Sequence, residues 1–370
     1  MAMYTRILLL LAFFSTNLHA DVAVENYGQL ILEELPPQTV SINTFNSMIM
    51  IYDAGNDKLL GMLSVGYGVN AIEFDKEKNV AYAAETYLSR HTRGERSDVV
   101  TTYDLRTLAA VNEIVIPPKH ASGSPMRHHS GILSQDDTQL MLVANITPAV
   151  SISIVDLGAG KFLNEINTAG CGLIYPSGGL SFLQLCGDGT AQLIKLDAEG
   201  QEIERRRSKA FFDLQTDPLM EKAVQTPEGW VFNTFEGKVY QLSVSSSRIK
   251  IKELFTIAGN QPDWRVGGMQ PLAYHQDQDL LLALMHQGGK DTHKDPGTEI
   301  WYYDLSTGHL KHRLGLQTPS FSIQVSQDDH PLLYAGSVVT NQVDIYDLKT
   351  GLVLNSIGNL NGPNIIQNLQ

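Results

Sequence analysis

Apolar positions alternate by two through much of this chain, and the alternation is interrupted again and again by the same short phrase. In Ile345 to Gly351, read I-Y-D-L-K-T-G, two apolar positions are stopped by Asp347. A turn then ends on Gly351, and Leu352, Val353 and Leu354 open the next apolar run. The phrase predicts a strand, a tight turn and a returning strand, because Asp and Gly accept turn dihedrals that β-branched residues refuse. It recurs at Ile51-Tyr52-Asp53, Thr102-Tyr103-Asp104-Leu105, Ile154-Val155-Asp156-Leu157, Lys195-Leu196-Asp197 and Tyr302-Tyr303-Asp304-Leu305. A degraded copy without the Asp is read at Val239-Tyr240-Gln241-Leu242. Copies roughly 40 to 60 residues apart have the period of four-stranded propeller blades, whereas helical repeats would need apolar spacings of three and four. Closing the blades into a ring also leaves only short, protected strand edges. The expected fold is all-β, a single seven-bladed β-propeller over residues 41–370, with a pair of β-sandwiches as the alternative.

The N-terminus does not share the pattern. Met1 to Ala20 carries Arg6, an apolar run from Ile7 to Phe14 and the small Ala20 before Asp21. That is the layout of a secretory signal; a membrane span would need roughly 20 apolar residues. Residues 21–40, with Pro36-Pro37, then form an N-terminal arm, and no cysteine near Ala20 is available to carry a lipid. Without residues 1–20 the 27 Lys and Arg lose only Arg6, leaving 26 against 40 acidic residues, a net charge of −14. Such a surface repels nucleic acid and anionic membrane.

Two cysteines agree with export. Cys171 and Cys186 flank an apolar stretch broken by Pro176-Ser177-Gly178-Gly179, which reads as a hairpin that could set the thiols opposite one another. In an oxidising compartment they would pair. The competing reading, a metal pair, lacks a short C-x-x-C spacing and any nearby His.

Candidate chemistry is sparse. There is no G-x-S-x-G elbow, phosphate loop, H-E-x-x-H or dinucleotide fingerprint. Gly66-Tyr67-Gly68 holds an aromatic ring between two residues of free backbone, so Tyr67 is either presented outward on a loop or packed as a core tyrosine at a bend; the residues alone favour the core placement. The run Ser89 to Asp98 is a solvated loop whose arginines could meet a partner's carboxylates. Adjacent His128 and His129 rarely converge on one metal, and no site is assigned to them. The long polar loop from His286 to Pro296 is a place where a rigid scaffold would bind a partner.

Taken together, several segments resemble one family, the heavy chain of the quinoprotein methylamine and aromatic amine dehydrogenases of the bacterial periplasm. They are R-H-T-R-G-E-R-S-D-V-V from Arg90, the Cys171–Cys186 hairpin with its C-G-D-G ending, R-S-K-A-F-F from Arg207, D-W-R-V-G-G from Asp263, T-H-K-D-P-G-T-E-I-W from Thr292 and S-Q-D-D-H-P-L-L-Y from Ser326. The resemblance implies a seven-bladed propeller, in a heterotetramer with two copies each of this chain and of a small, disulfide-rich light chain. The tryptophan tryptophylquinone cofactor and the catalytic residues would belong to that light chain, and none to this one. The implied reaction converts a primary amine to aldehyde and ammonia and passes electrons to a blue copper protein. Relatives place a Phe of the first-blade loop at the mouth of the substrate channel; here that position is Tyr67, which reverses the preference for a core tyrosine. R-S-K-A-F-F and T-H-K-D-P-G-T-E-I-W look closer to the aromatic amine branch. The alternative from another class is a stand-alone exported β-propeller binding protein without enzymatic activity, against which the segments outside the repeat count. A propeller lactonase is weaker still, since no cluster of acids and histidines stands ready for its metal.

Overall fold

The computed structural model describes residues 31, 32, 34–123 and 127–369. The expected signal and the first half of the arm lie outside the described residues. From Leu32 onward the chain is a series of antiparallel sheets that follow one another in sequence order, seven blades of a β-propeller. The strand that closes the ring comes from the far end of the sequence. Ile365–Asn368 is the innermost strand of blade 1 and pairs with Thr39–Asn43 in the register Asn43↔Ile365 to Val40↔Asn368. Met48–Asp53 and Lys58–Ser64 complete that blade. Its first strand begins two residues before the expected boundary between arm and propeller.

Each adjacent pair of blades shares one apolar cluster, so the core is seven wedges arranged around an axis. Val40, Ile42, Tyr334 and Ile345 join blades 7 and 1 across the closure. Between blades 5 and 6 the fully buried Trp301 packs with Val231, Leu281 and Met285. Outermost strands have no further blade to cover them and leave apolar residues such as Val115 and Leu354 exposed.

The repeated phrase ends the third strand of each blade it marks, and its aspartate shapes the turn that follows. Asp53, Asp104, Asp156, Asp197, Asp304 and Asp347 each accept a backbone N–H from two to four residues ahead, as Ala159 donates to Asp156 at 2.8 Å and Thr350 to Asp347 at 2.7 Å. Gly351, at φ +69°, closes the last of these turns in the left-handed region. Blade 5 departs from the phrase. Val239-Tyr240-Gln241-Leu242 lies on its third strand, Lys238–Ser245, but at the beginning, and the equivalent turn is made by Ser246 and Ser247, both at positive φ. In blade 6 the innermost strand is split into Trp264–Val266 and Leu272–His275, both paired to Leu280–Gln287.

Candidate functional site

Strand direction sorts the connections onto two faces of the ring. The aspartate turns lie on one face together with the turns between first and second strands. The opposite face carries the links between blades and the loops between second and third strands, and Tyr67 belongs there.

Gly66-Tyr67-Gly68 links Lys58–Ser64 to Ala71–Asp75, and its backbone is tied on every side. Tyr67 N–H donates to the Thr86 carbonyl at 2.7 Å, Gly66 N–H to Glu85 Oε1 at 3.1 Å and Gly68 N–H to Ser47 Oγ at 3.2 Å, while Asn70 Nδ2 donates to the Gly66 carbonyl at 2.7 Å. A Cβ at position 66 would stand 2.8 Å from the Thr86 oxygen, so only glycine allows this approach. With its backbone held, the Tyr67 ring points outward and is 44% exposed. The core placement favoured by the residues alone does not hold.

Beneath the loop lies a carboxylate that sequence reasoning missed. Glu85 is fully buried and accepts from Thr101 Oγ1, from Tyr103 Oη at 2.8 Å, from Tyr87 Oη at 3.1 Å and from Gly66 N. Burial pushes its pKa up despite these donors. Only the tertiary structure assembles the set, from three separate stretches of chain, so no local motif announces it.

The basic loop is only partly free. Arg96 makes two hydrogen bonds to buried Asp98, at 2.7 and 2.8 Å, and a third to the His120 carbonyl at 2.8 Å; Asp98 also accepts from Thr86 Oγ1 and His120 N. Arg96 therefore staples this loop to the link before blade 3 and is not available to a partner. Arg90 and Arg93 make no ion pair among the described residues. His128 and His129 are both buried. His128 packs against Tyr175 and Trp230 and bonds the Ala223 carbonyl at 3.2 Å, and burial drives its pKa down to about 3. Among the described residues no group of three or more His, Cys, Asp or Glu is placed to hold a metal.

Cys171 and Cys186 occupy facing positions in blade 4 and form a disulfide, with the Arg207 guanidinium donating to Cys171 Sγ at 2.8 Å and paired with Asp188 at 2.9 Å. On the long polar loop, Thr292 Oγ1 meets His286 Nε2 at 2.8 Å and the His293 ring stacks on Phe235.

The loops around Tyr67 form a continuous belt. Leu360 N–H bonds the Asn341 carbonyl, Phe45 N–H that of Asn361, Gly123 N–H that of Val69, and Ile146 N–H that of Lys119. This belt runs from blade 7 through blades 1 and 2 to blade 3, and it presents Val339, Phe45, Tyr67, Tyr87 and Ile146 exposed. Apolar side chains held outward on rigid loops, on an otherwise charged surface, are the makings of a protein-binding face. The three tryptophans serve packing: Trp230 Nε1 donates to the Pro176 carbonyl, and the Arg313 guanidinium lies over the mutually tilted rings of Trp264 and Trp301.

Fold and site together define a seven-bladed propeller that presents a face of exposed apolar side chains on fixed loops. Comparison with known proteins is more specific. The sequence model of the family described as methylamine dehydrogenase heavy chain (MADH) matches residues 38–370, the whole propeller, and the chain belongs to that family. It is 30% identical over 319 residues to the methylamine dehydrogenase heavy chain of Methylophilus methylotrophus, covering 85% of this chain and 78% of that one. The heavy chain of Methylorubrum extorquens is 27% identical over 328 residues, covering 86% and 78%. Among solved structures, the β-propeller domain of Cps50 (Swd1) from Myceliophteria thermophila superposes with a TM-score of 0.57 at 11% identity, covering 87% of this chain and 96% of that one, a likeness of fold alone. The chain is thus a heavy subunit of an amine dehydrogenase, a family in which a light chain is the implied partner.

Proposed function

We propose that this chain is the periplasmic, quinone-free half of an enzyme that oxidatively deaminates primary amines, aromatic amines ahead of methylamine. The observation that carries the reading is the family match along the entire ring, from residue 38 to residue 370. The tryptophan tryptophylquinone and the catalytic acid and base reside on the disulfide-rich light chain, in a complex with two copies of each subunit, and a blue copper protein takes the electrons one at a time. When bound in the complex, the quinone supplies the oxidant for the amine. This chain's share is to hold the light chain over the belt of loops and to narrow the substrate entrance with Tyr67. An exposed ring on fixed backbone suits that task, because a partner's surface can close around it without ordering a mobile loop.

The preference for aromatic amines rests on the likeness of Arg207 to Phe212 and Thr292 to Trp301, whereas the relatives above are named for methylamine. Purification of the chain from its native host should bring down a small cysteine-rich chain that absorbs visible light as a quinone does. On that complex, kcat/KM for phenylethylamine or tyramine should exceed that for methylamine. Absence of any such companion sinks the enzyme reading in favour of a stand-alone binding propeller. A clear preference for methylamine sinks only the aromatic one.

A further inference from the structure

The axis of the ring holds a second feature, remote from the Tyr67 belt and independent of the amine dehydrogenase reading. A cavity of about 300 Å³ opens between the ends of the innermost strands on the aspartate-turn face. Its wall takes Glu73 from blade 2, Gln225 from blade 5, Gln324 from blade 7 and Gln367 from blade 1, with Lys76 and Arg127 beside them. Because strands from so many blades contribute, the cavity lies on the axis. A smaller pocket toward the opposite face shares Arg127, Val224 and Gln324 with it.

The charges here are not balanced. Neither Lys76 nor Arg127 makes an ion pair within bonding distance among the described residues, although the chain as a whole is acidic. Lys76 stands exposed on its turn at the rim and faces the field of Arg127; partial desolvation first, then that field, lowers its pKa. The acid beside them, Glu73, accepts from Ser130 Oγ at 2.7 Å and makes no bonded ion pair among the described residues; burial pushes its carboxyl toward the neutral form, against the pull of Arg127 and of the Ser130 hydroxyl. The side-chain amides of Gln225 and Gln276 make no hydrogen bond within the described residues, so they have donors and acceptors to give to a guest. Two cations without a bonded ion partner among the described residues, beside free carboxamides around a hollow of this volume, suit a small anion with several oxygen acceptors.

We propose that the axial cavity binds a small oxyanion, a dicarboxylate or phosphate, between Arg127 and Lys76, with Gln225 and Gln276 closing on its remaining oxygens. Glu73 acts against the ligand, setting a limit on affinity and favouring guests that can share a proton with it.

The test is calorimetric titration of the full exported protein, with whatever partner it purifies with, using succinate, inorganic phosphate and the neutral isostere succinamide. One oxyanion should bind saturably at one site per chain, and succinamide should not. Lys76→Gln, at an open turn where folding is not at stake, should weaken binding by about tenfold, and Arg127→Gln by at least as much. Glu73→Gln should tighten it. Preference for succinate over phosphate identifies the carboxylate source, and the reverse order the phosphate source. The proposal is overturned if neither anion binds saturably, if succinamide binds as well as succinate, or if Lys76→Gln leaves the affinity unchanged.

Discussion

On one face of the ring the connections are near copies of one another, and on the other each loop is built differently. The copied turns are local devices. Asp347 and Thr350, or Asp304 with Ser306 and Thr307, satisfy one another within four residues, so each turn forms from its own stretch of chain. The loops of the Tyr67 face are held by distant partners instead: Gly66 by Glu85, Arg96 by the His120 carbonyl, and Phe45 by Asn361. A fold that repeats its local chemistry on one side is free to vary the other. The varied side is then rigid only because buried polar groups tie it to the blades.

Glu85 is the sharpest place to break this arrangement. Glu85→Ala removes the acceptor for Thr101, Tyr103, Tyr87 and Gly66 at once and leaves buried donors without partners, which should cost about 3 to 5 kcal/mol in denaturant unfolding. Loss of less than about 1 kcal/mol would mean that the face does not depend on this carboxylate. The turn aspartates and Glu85 should also differ in the sign of their contribution to the pH dependence of stability. Asp304, held down by the Ser306 hydroxyl, Lys311 and Thr307, and Asp347, held down by Thr350, contribute stability above the unfolded aspartate pKa, and it is lost as pH falls through their depressed folded values. Glu85 works the other way. Its folded pKa is raised, so its contribution is complete below the unfolded value of about 4.3 and is lost as pH rises through the folded one. Glu85→Gln should therefore flatten the decline of stability above that pH while leaving the acid limb in place. Parallel profiles for the variant and the parent would refute the assignment.

The disulfide offers a test of intermediate size. It joins two facing positions of one hairpin, so its removal by Cys171→Ser with Cys186→Ser should cost about 3 kcal/mol through the freed loop of the unfolded chain. The intact protein should take up no alkylating reagent until it is reduced. Two free thiols in the unreduced protein would remove the pairing and, with it, part of the case for export.

What could be read in the sequence follows the same division. Ile345 to Gly351 announces its turn because acceptor, donor and left-handed glycine lie within one short stretch, and Cys171 and Cys186 announce their meeting because a single hairpin separates them. Blade 5 carries no such signal, because Ser246 and Ser247 make its turn without an aspartate, and the likeness to the phrase at Val239 sits at the wrong end of the strand. Arg96 looked like a hand offered to a partner, but its acceptor Asp98 is two residues away on the same face of a strand. Glu85 and the axial cavity were invisible, since their groups come from separate blades and carry no spacing that a linear reading could detect.

Tyr67 gives the smallest expected effect on stability and the most informative one on function. Its N–H and the glycines on either side hold the loop without help from the ring, and the ring is about half exposed, so Tyr67→Ala should change unfolding free energy by less than about 1 kcal/mol. A core tyrosine would have cost about 3 to 5 kcal/mol. If the ring narrows the substrate entrance, the same variant, assembled with its partner, should shift the ratio of kcat/KM for bulky and small amines by about tenfold, because a contact made by only one of two substrates changes their discrimination by 1 to 3 kcal/mol. Tyr67→Phe keeps the ring and should shift the ratio less, isolating what the hydroxyl adds. An unchanged ratio in Tyr67→Ala, with the complex intact, would take Tyr67 out of the entrance and leave it as one apolar contact among the five exposed side chains of the belt.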